Sequence, residues 1–129
     1  MSATRTQGMN WIRPAKRLAI YLRDGLAGVW CGLSIEDGAK LTLDHLKPYS
    51  KGGSHESTNL VTCCHRCNSS RGNRGMKAFA TVVANYINHG AKAESILAFV
   101  NLTRRRKLDV GAAKLIIEQR GSFVAACRS

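Results

Sequence analysis

Six side chains between positions 44 and 68 are of the types that hydrolytic and metal chemistry needs: Asp44, His45, Asn59, Cys64, Cys67 and Asn68. A neutral imidazole, with a solution pKa of roughly 6.5, can take a proton near neutral pH. Carboxylate and amide oxygens suit a hard divalent cation, whereas a Cys-x-x-Cys pair suits a softer one such as zinc. Taken singly, each has a plainer meaning: an Asp-His pair is a polar strand end, and Asn59 can cap a turn. In this order, on a strand–loop–strand–helix pattern, the combination is specific.

The elements that must hold these groups are legible in outline. Pro14 suits the first turn of a helix continuing through Ala15 to Arg23, with Ala15, Ala19 and Leu22 at helical spacing and Gly25 as its stop. "VWCGLSIEDGAKLTLDH" (29–45) predicts a turn and two short strands, with Asp37-Gly38 as the hairpin between "LSI" and "KLTLDH". "KPYSKGGSHEST" (47–58) is a loop centred on Gly52-Gly53, "NLVTC" (59–63) a short extended segment, and "CHRCNSSRGN" (64–73) the start of a helix lost by about Gly72. In a regular strand Asp44 and His45 point to opposite faces. A shared site therefore requires the strand to end or bulge there, and Pro48, which cannot continue a ladder and constrains Lys47, supplies a reason.

From Met76 onward the pattern is helical. Phe79, Val82, Val83, Tyr86 and Ile87 form one apolar stripe ended by Gly90; Ala93, Ile96, Leu97 and Val100 form a second. A third helix covers Val110 to Arg120, with Gly121 just beyond it and "RRRK" (104–107) separating the last two. These stripes read as core packing. The expected organisation is residues 1–75 as one core with its N-terminal helix, and 76–129 as a helical extension packed on it.

With 20 Lys and Arg against 8 Asp and Glu, the net charge of +12 points to a polyanionic partner, nucleic acid before an anionic membrane surface. The apolar share of 44% is enough for a real core and excludes wholesale disorder. No stretch approaches the roughly 18 apolar residues of a membrane span. The N-terminus has no apolar centre of a secretory signal, so a cytoplasmic, reducing setting is expected. There the five cysteines, Cys31, Cys63, Cys64, Cys67 and Cys127, read as metal ligands or free thiols rather than disulfides.

Between residues 20 and 75 the chain resembles the HNH endonucleases, the ββα-metal or His-Me finger nucleases. The matching segments are "RDGLAGVWCG" (23–32), "LTLDHLKPYSKGGSHESTNLVTCCHRCN" (41–68) and "SSRGNR" (69–74). The resemblance implies an α+β fold: a small ββα-metal core with a preceding helix and a helical C-terminal extension. It implies hydrolysis of DNA phosphodiester bonds, by nicking or double-strand cleavage, leaving 5′-phosphate and 3′-hydroxyl ends. His45 takes the role of general base, Asn59 that of a residue holding His45 through the loop backbone, and Asp44 and Asn68 those of ligands to a divalent cation (Mg²⁺, Mn²⁺ or Ni²⁺).

The family also carries paired Cys-x-x-Cys motifs holding a structural zinc. Cys31, Cys64 and Cys67 match three of those ligands, but the fourth falls on Gly28, leaving Cys63, His65, Cys127 or water to complete the site; the alternative is that the zinc is lost and Trp30, Cys31 and the later pair simply pack. Lys47, Lys51, Arg66, Arg71 and Arg74 are expected on DNA phosphates, with Arg104 to Lys107 as a second patch or a charged helix-end loop. His55 reads as a loop residue near phosphate, His65 as solvent-facing, and His89 as a favourable charge at a helix C-terminus. The expected partner is DNA, with a homodimer or a larger DNA-processing assembly as further options. The alternative readings are a non-catalytic zinc-knuckle DNA-binding module, and a nuclease that is one subunit of a larger machine with its C-terminal helices as an interaction platform.

Overall fold

The first helix, α1 (Pro14–Arg23), begins with proline at its first position, where the missing N–H costs nothing. The computed structural model describes residues 11–88 and 90–127, so the expectation for His89 lies outside the described residues. Burial on α1 extends over the run Arg17–Tyr21 rather than the single stripe expected from Ala15, Ala19 and Leu22. The reason is two-sided packing. Ile20 and Tyr21 face the sheet with Leu43 and Leu60, while Leu18 and Ala19 face Ala113 and Ala126.

The segment after α1 corrects one expectation. Asp37-Gly38 is not a hairpin turn between strands. Ser34 and Asp37 form a reciprocal capping box around a 3-10 turn, Ile35–Asp37, and Gly38 follows in the left-handed region. Both capping hydrogen bonds are satisfied locally, which removes the incentive to form a ladder. The strand partner lies further along: β1 (Leu41–His45) pairs antiparallel with β2 (Leu60–Cys64), Leu41 opposite Cys64 and His45 opposite Leu60. All five residues of β2 are buried. Its outer edge is covered where Val29 N donates to Thr62 O at 2.9 Å and Thr62 N donates to Asp24 Oδ2 at 2.8 Å.

Asp24, which closes α1, is a buried junction. Its Oδ1 also accepts from Thr103 Oγ1 at 3.0 Å, and Arg23 holds both carboxylate oxygens at 2.7 and 3.2 Å. The same Arg23 guanidinium reaches the carbonyls of Ser57, Leu60 and Arg104 at 2.9, 2.6 and 3.3 Å. One arginine thus ties α1, the start of β2 and the backbone at Arg104 together.

Helix α2 (His65–Arg71) follows β2 directly, then α3 (Met76–Val82), which runs into a π-helical turn, Val83–Ile87. Helices α4 (Ala93–Thr103), α5 (Val110–Arg120) and α6 (Phe123–Cys127) complete a mixed α+β fold built on a two-stranded antiparallel sheet. Tyr86 leaves the stripe expected of it and is 73% exposed. The π turn, closed by Asn88 N on Val83 O at 2.7 Å, widens the helix and rotates Tyr86 off the buried face. The largest cluster joins Trp30 and Val61 to Phe79, Val83, Ile96 and Val100, so α3 and α4 share a core with the sheet. Trp30 meets Phe79 edge-on, with ring centroids 5.0 Å apart. Truncating Phe79 to alanine there costs about 3–5 kcal/mol.

Candidate active site and thiol cluster

The β1–β2 pairing is regular through His45, and Leu46 N donating to Asn59 O at 2.8 Å carries it one step further. Strand alternation therefore holds to the end. β1 ends at His45 without a bulge, and the Asp44 and His45 side chains share no partner. His45 faces Trp11 (centroids 4.8 Å apart), Tyr49 (5.8 Å) and His55, with His45 Nε2 lying 2.9 Å from His55 Nδ1. Burial, then the neighbouring His55, pushes the His45 imidazole down to about 4, so it is neutral at pH 7.

The loop between the strands builds this pocket. Tyr49–Lys51 form a 3-10 turn after Pro48, and the chain doubles back so closely that a Cβ on Gly53 would lie 1.8 Å from Lys47 O. No side chain fits there. Asn59 fastens the two limbs: its Oδ1 accepts from Lys47 N at 2.8 Å, and its Nδ2 donates to the carbonyls of Lys47 (3.1 Å) and Ser54 (2.8 Å). From α1, Lys16 Nζ donates to His55 O at 2.8 Å. His55 is stacked on Tyr49 at 4.7 Å and 6° between planes, with Trp11 4.5 Å away. Sequence reasoning placed His55 in the loop without linking it to His45, and passed over Tyr49 and Trp11. The one available signal was a second histidine in the loop that must fold back over the first.

Asp44 points the other way, into the core. Its Oδ2 accepts from Trp30 Nε1 at 3.1 Å and pairs with Arg71 Nη1. Arg71 is 2% exposed, also donates to the carbonyls of His45, Leu46 and Arg74, and lies 5.4 Å over the Trp30 ring. The expectation that Arg71 contacts DNA is corrected: its charge is spent on Asp44. Burial pushes the Asp44 carboxyl up, and the Arg71 guanidinium opposes that rise. Asn68, on α2, donates from Nδ2 to Thr42 Oγ1 at 3.0 Å, so it addresses the same side of β1 as Asp44. Among the described residues, neither Asp44 Oδ1 nor Asn68 Oδ1 has a hydrogen-bond partner. A carboxylate and an amide oxygen are of the types that a hard divalent cation takes.

A second site lies at the start of α2. The Sγ atoms of Cys31, Cys64 and Cys67 lie within 4.8 Å of one another, Cys31 and Cys64 at 3.4 Å. Leu33 N and Cys67 N point at the sulfurs of Cys31 and Cys64 at 3.5 and 3.4 Å. The contact with Cys67 is the main reason the Cys31 thiol is pushed down to about 5, while the same contact pushes Cys67 up. Three thiols sharing charge in this way are a ready donor set for zinc. Cys63, His65 and Cys127 do not join the group: Cys63 is buried in the cluster with Trp30, His65 is exposed, and Cys127 packs near Tyr21. A Cβ on Gly28 would sit 3.5 Å from Cys31 Sγ but only 2.9 Å from Cys64 N, so that position faces the cluster without room for a side chain.

Lys47, Lys51, Arg66 and Arg74 are exposed, as are Arg105, Arg106 and Lys107. Arg104 instead donates to Thr58 O at 3.2 Å. Among the described residues, no helix is long and apolar enough to cross a membrane.

Residues 29–81 match the family model described as HNH endonuclease, a span that holds β1, β2, α2 and both candidate sites' central residues. That part of the chain is similar to HNH endonucleases. No curated protein and no solved structure matches the chain significantly.

Proposed function

We propose that this protein is a metal-dependent HNH endonuclease that hydrolyses DNA phosphodiester bonds and leaves 5′-phosphate and 3′-hydroxyl ends. The observation that supports this reading is His45: a neutral imidazole, fixed at the end of β1 within the segment that matches the HNH family model, next in sequence to Asp44. His45 accepts the proton of the attacking water. Asn59 keeps the loop closed behind it, and Lys47, Lys51, Arg66 and Arg74 attract the phosphate backbone. Asp44 and Asn68 would hold the divalent cation, which supplies Lewis-acid stabilisation of the phosphorane and the leaving oxygen. Cys31, Cys64 and Cys67 would hold a zinc whose fourth ligand does not come from the described residues.

DNA is the substrate in this reading, and the free thiols fit a reducing, cytoplasmic setting. A homodimer or a larger DNA-processing assembly would supply a second site where both strands are cut. One observation favours a non-catalytic DNA-binding module instead: Arg71 already neutralises the carboxylate that a cation needs. Plasmid nicking with Mg²⁺, Mn²⁺ or Ni²⁺ separates the two. The enzyme reading expects nicking by the wild type and none by His45→Ala. DNA binding without cutting under any of the metals would leave the module.

A further inference from the structure

His55 is held from every direction that the loop allows. Its carbonyl takes the Lys16 ammonium, the carbonyl before it takes Asn59 Nδ2, and its ring lies against Tyr49 and Trp11. The one ring atom that all this aims is Nδ1, which meets His45 Nε2 at 2.9 Å. A loop histidine with no task needs none of these restraints.

With one proton shared between the two rings, this contact has two tautomeric arrangements. If His55 Nδ1 carries the proton, both rings must adopt the Nδ1–H form, the less stable tautomer of a neutral imidazole. His45 would then spend its Nε2 lone pair on His55 and present an N–H on its other side. If His45 Nε2 carries the proton, both rings adopt the favoured Nε2–H form, and His45 Nδ1 keeps a free lone pair. Only the second arrangement leaves His45 a base.

We propose that His55 is a positioning residue for His45: its Nδ1 accepts the His45 Nε2–H, fixing the tautomer in which His45 Nδ1 is the atom that takes the proton from water. Activation of a base by a third group that orients its far nitrogen is a general device of hydrolytic sites. Here the orienting group is a second imidazole rather than a carboxylate. It fixes the ring without adding negative charge where a phosphate must approach. This inference rests on the endonuclease reading for its kinetic consequence, but not for its structural content.

The test has two arms. Long-range ¹H–¹⁵N imidazole correlations on the wild type, which has four histidines, read the His45 tautomer directly. The expected result is protonated Nε2 and bare Nδ1; an Nδ1–H tautomer overturns the proposal whether or not the protein cuts DNA. The second arm compares nicking by His55→Phe, which keeps an aromatic ring between Trp11 and Tyr49, with His55→Asn, whose Oδ1 can replace the Nδ1 acceptor. His55→Phe should lose about 10²-fold in kcat with little change in KM, and His55→Asn should recover most of it. Wild-type rates in His55→Phe, or an asparagine variant no better than phenylalanine, would refute the role. A wild type that never nicks defeats the endonuclease reading alone, and the tautomer measurement still decides the fate of His55.

Discussion

Asn59 and Lys47 bind each other twice across the loop, Lys47 N to Asn59 Oδ1 at 2.8 Å and Asn59 Nδ2 to Lys47 O at 3.1 Å. With the third bond to Ser54 O, one amide satisfies three backbone groups at once. Replacing Asn59 by alanine should therefore cost about 1–3 kcal/mol in urea unfolding. Asn59→Asp should not rescue it, because a carboxylate can accept from Lys47 N but has nothing to donate to either carbonyl. Equal stability of the aspartate variant and wild type would show that the two donated bonds are idle.

Arg71 and Asp44 form an ion pair inside the core, and removing one partner strands the other. Arg71→Met should destabilise by about 3–5 kcal/mol, and the double variant with Asp44→Asn should recover part of that loss. A strictly additive double-mutant cycle in denaturant melts would mean that the pair is not coupled.

Burial pushes the Tyr21 phenol up, Arg17 opposing, while its hydroxyl donates to Leu41 O at 3.1 Å. Above its ordinary pKa of 10.0 the unfolded phenol loses its proton first, so the folded state binds more protons and stability falls as pH rises through that value. Tyr21→Phe should flatten this alkaline decline. Melting temperatures of the two proteins measured against pH, with equal slopes above pH 10, would contradict the shift.

Purified protein should carry close to one zinc per chain, and Cys64→Ser should weaken that binding by more than the ~10–100-fold typical of losing an outer-shell partner. Chelation should lower the melting temperature, since the metal would cross-link the turn at Cys31 to the start of α2. Gly28→Cys should not tighten the site, because its Cβ meets Cys64 N at 2.9 Å. Zinc content well below a few tenths of an equivalent would remove zinc from the account.

Much of this was legible before any coordinates. Helices from Pro14 and from Val110 begin and end where proline, aspartate and glycine punctuate them, because capping is a local effect. The three thiols come together as the resemblance to the HNH endonucleases implied. Expectations went astray where a non-local partner decided. The segment "LSI" is a poor strand once Ser34 and Asp37 satisfy each other, and β1 finds β2 across the loop instead. Arg71 looked like one more cation in a basic chain, and nothing local distinguishes it from Arg74. Its fate was set by Asp44, 27 positions away. Pro48 was read as ending a strand so that Asp44 and His45 could share a site. β1 does end at His45, and the loop after Pro48 folds back to bring His55 and Tyr49 to His45.

The housing of His45 is drawn from across the chain. Trp11 and Lys16 lie before the segment that matches the family model, and Arg104, which braces Thr58, lies after it. Arg23, also outside the matched span, holds the carbonyls of Ser57 and Leu60 on either side of Asn59. The matched segment is therefore not portable: transplanted alone into another scaffold, it would carry His45 and leave behind the walls that aim it.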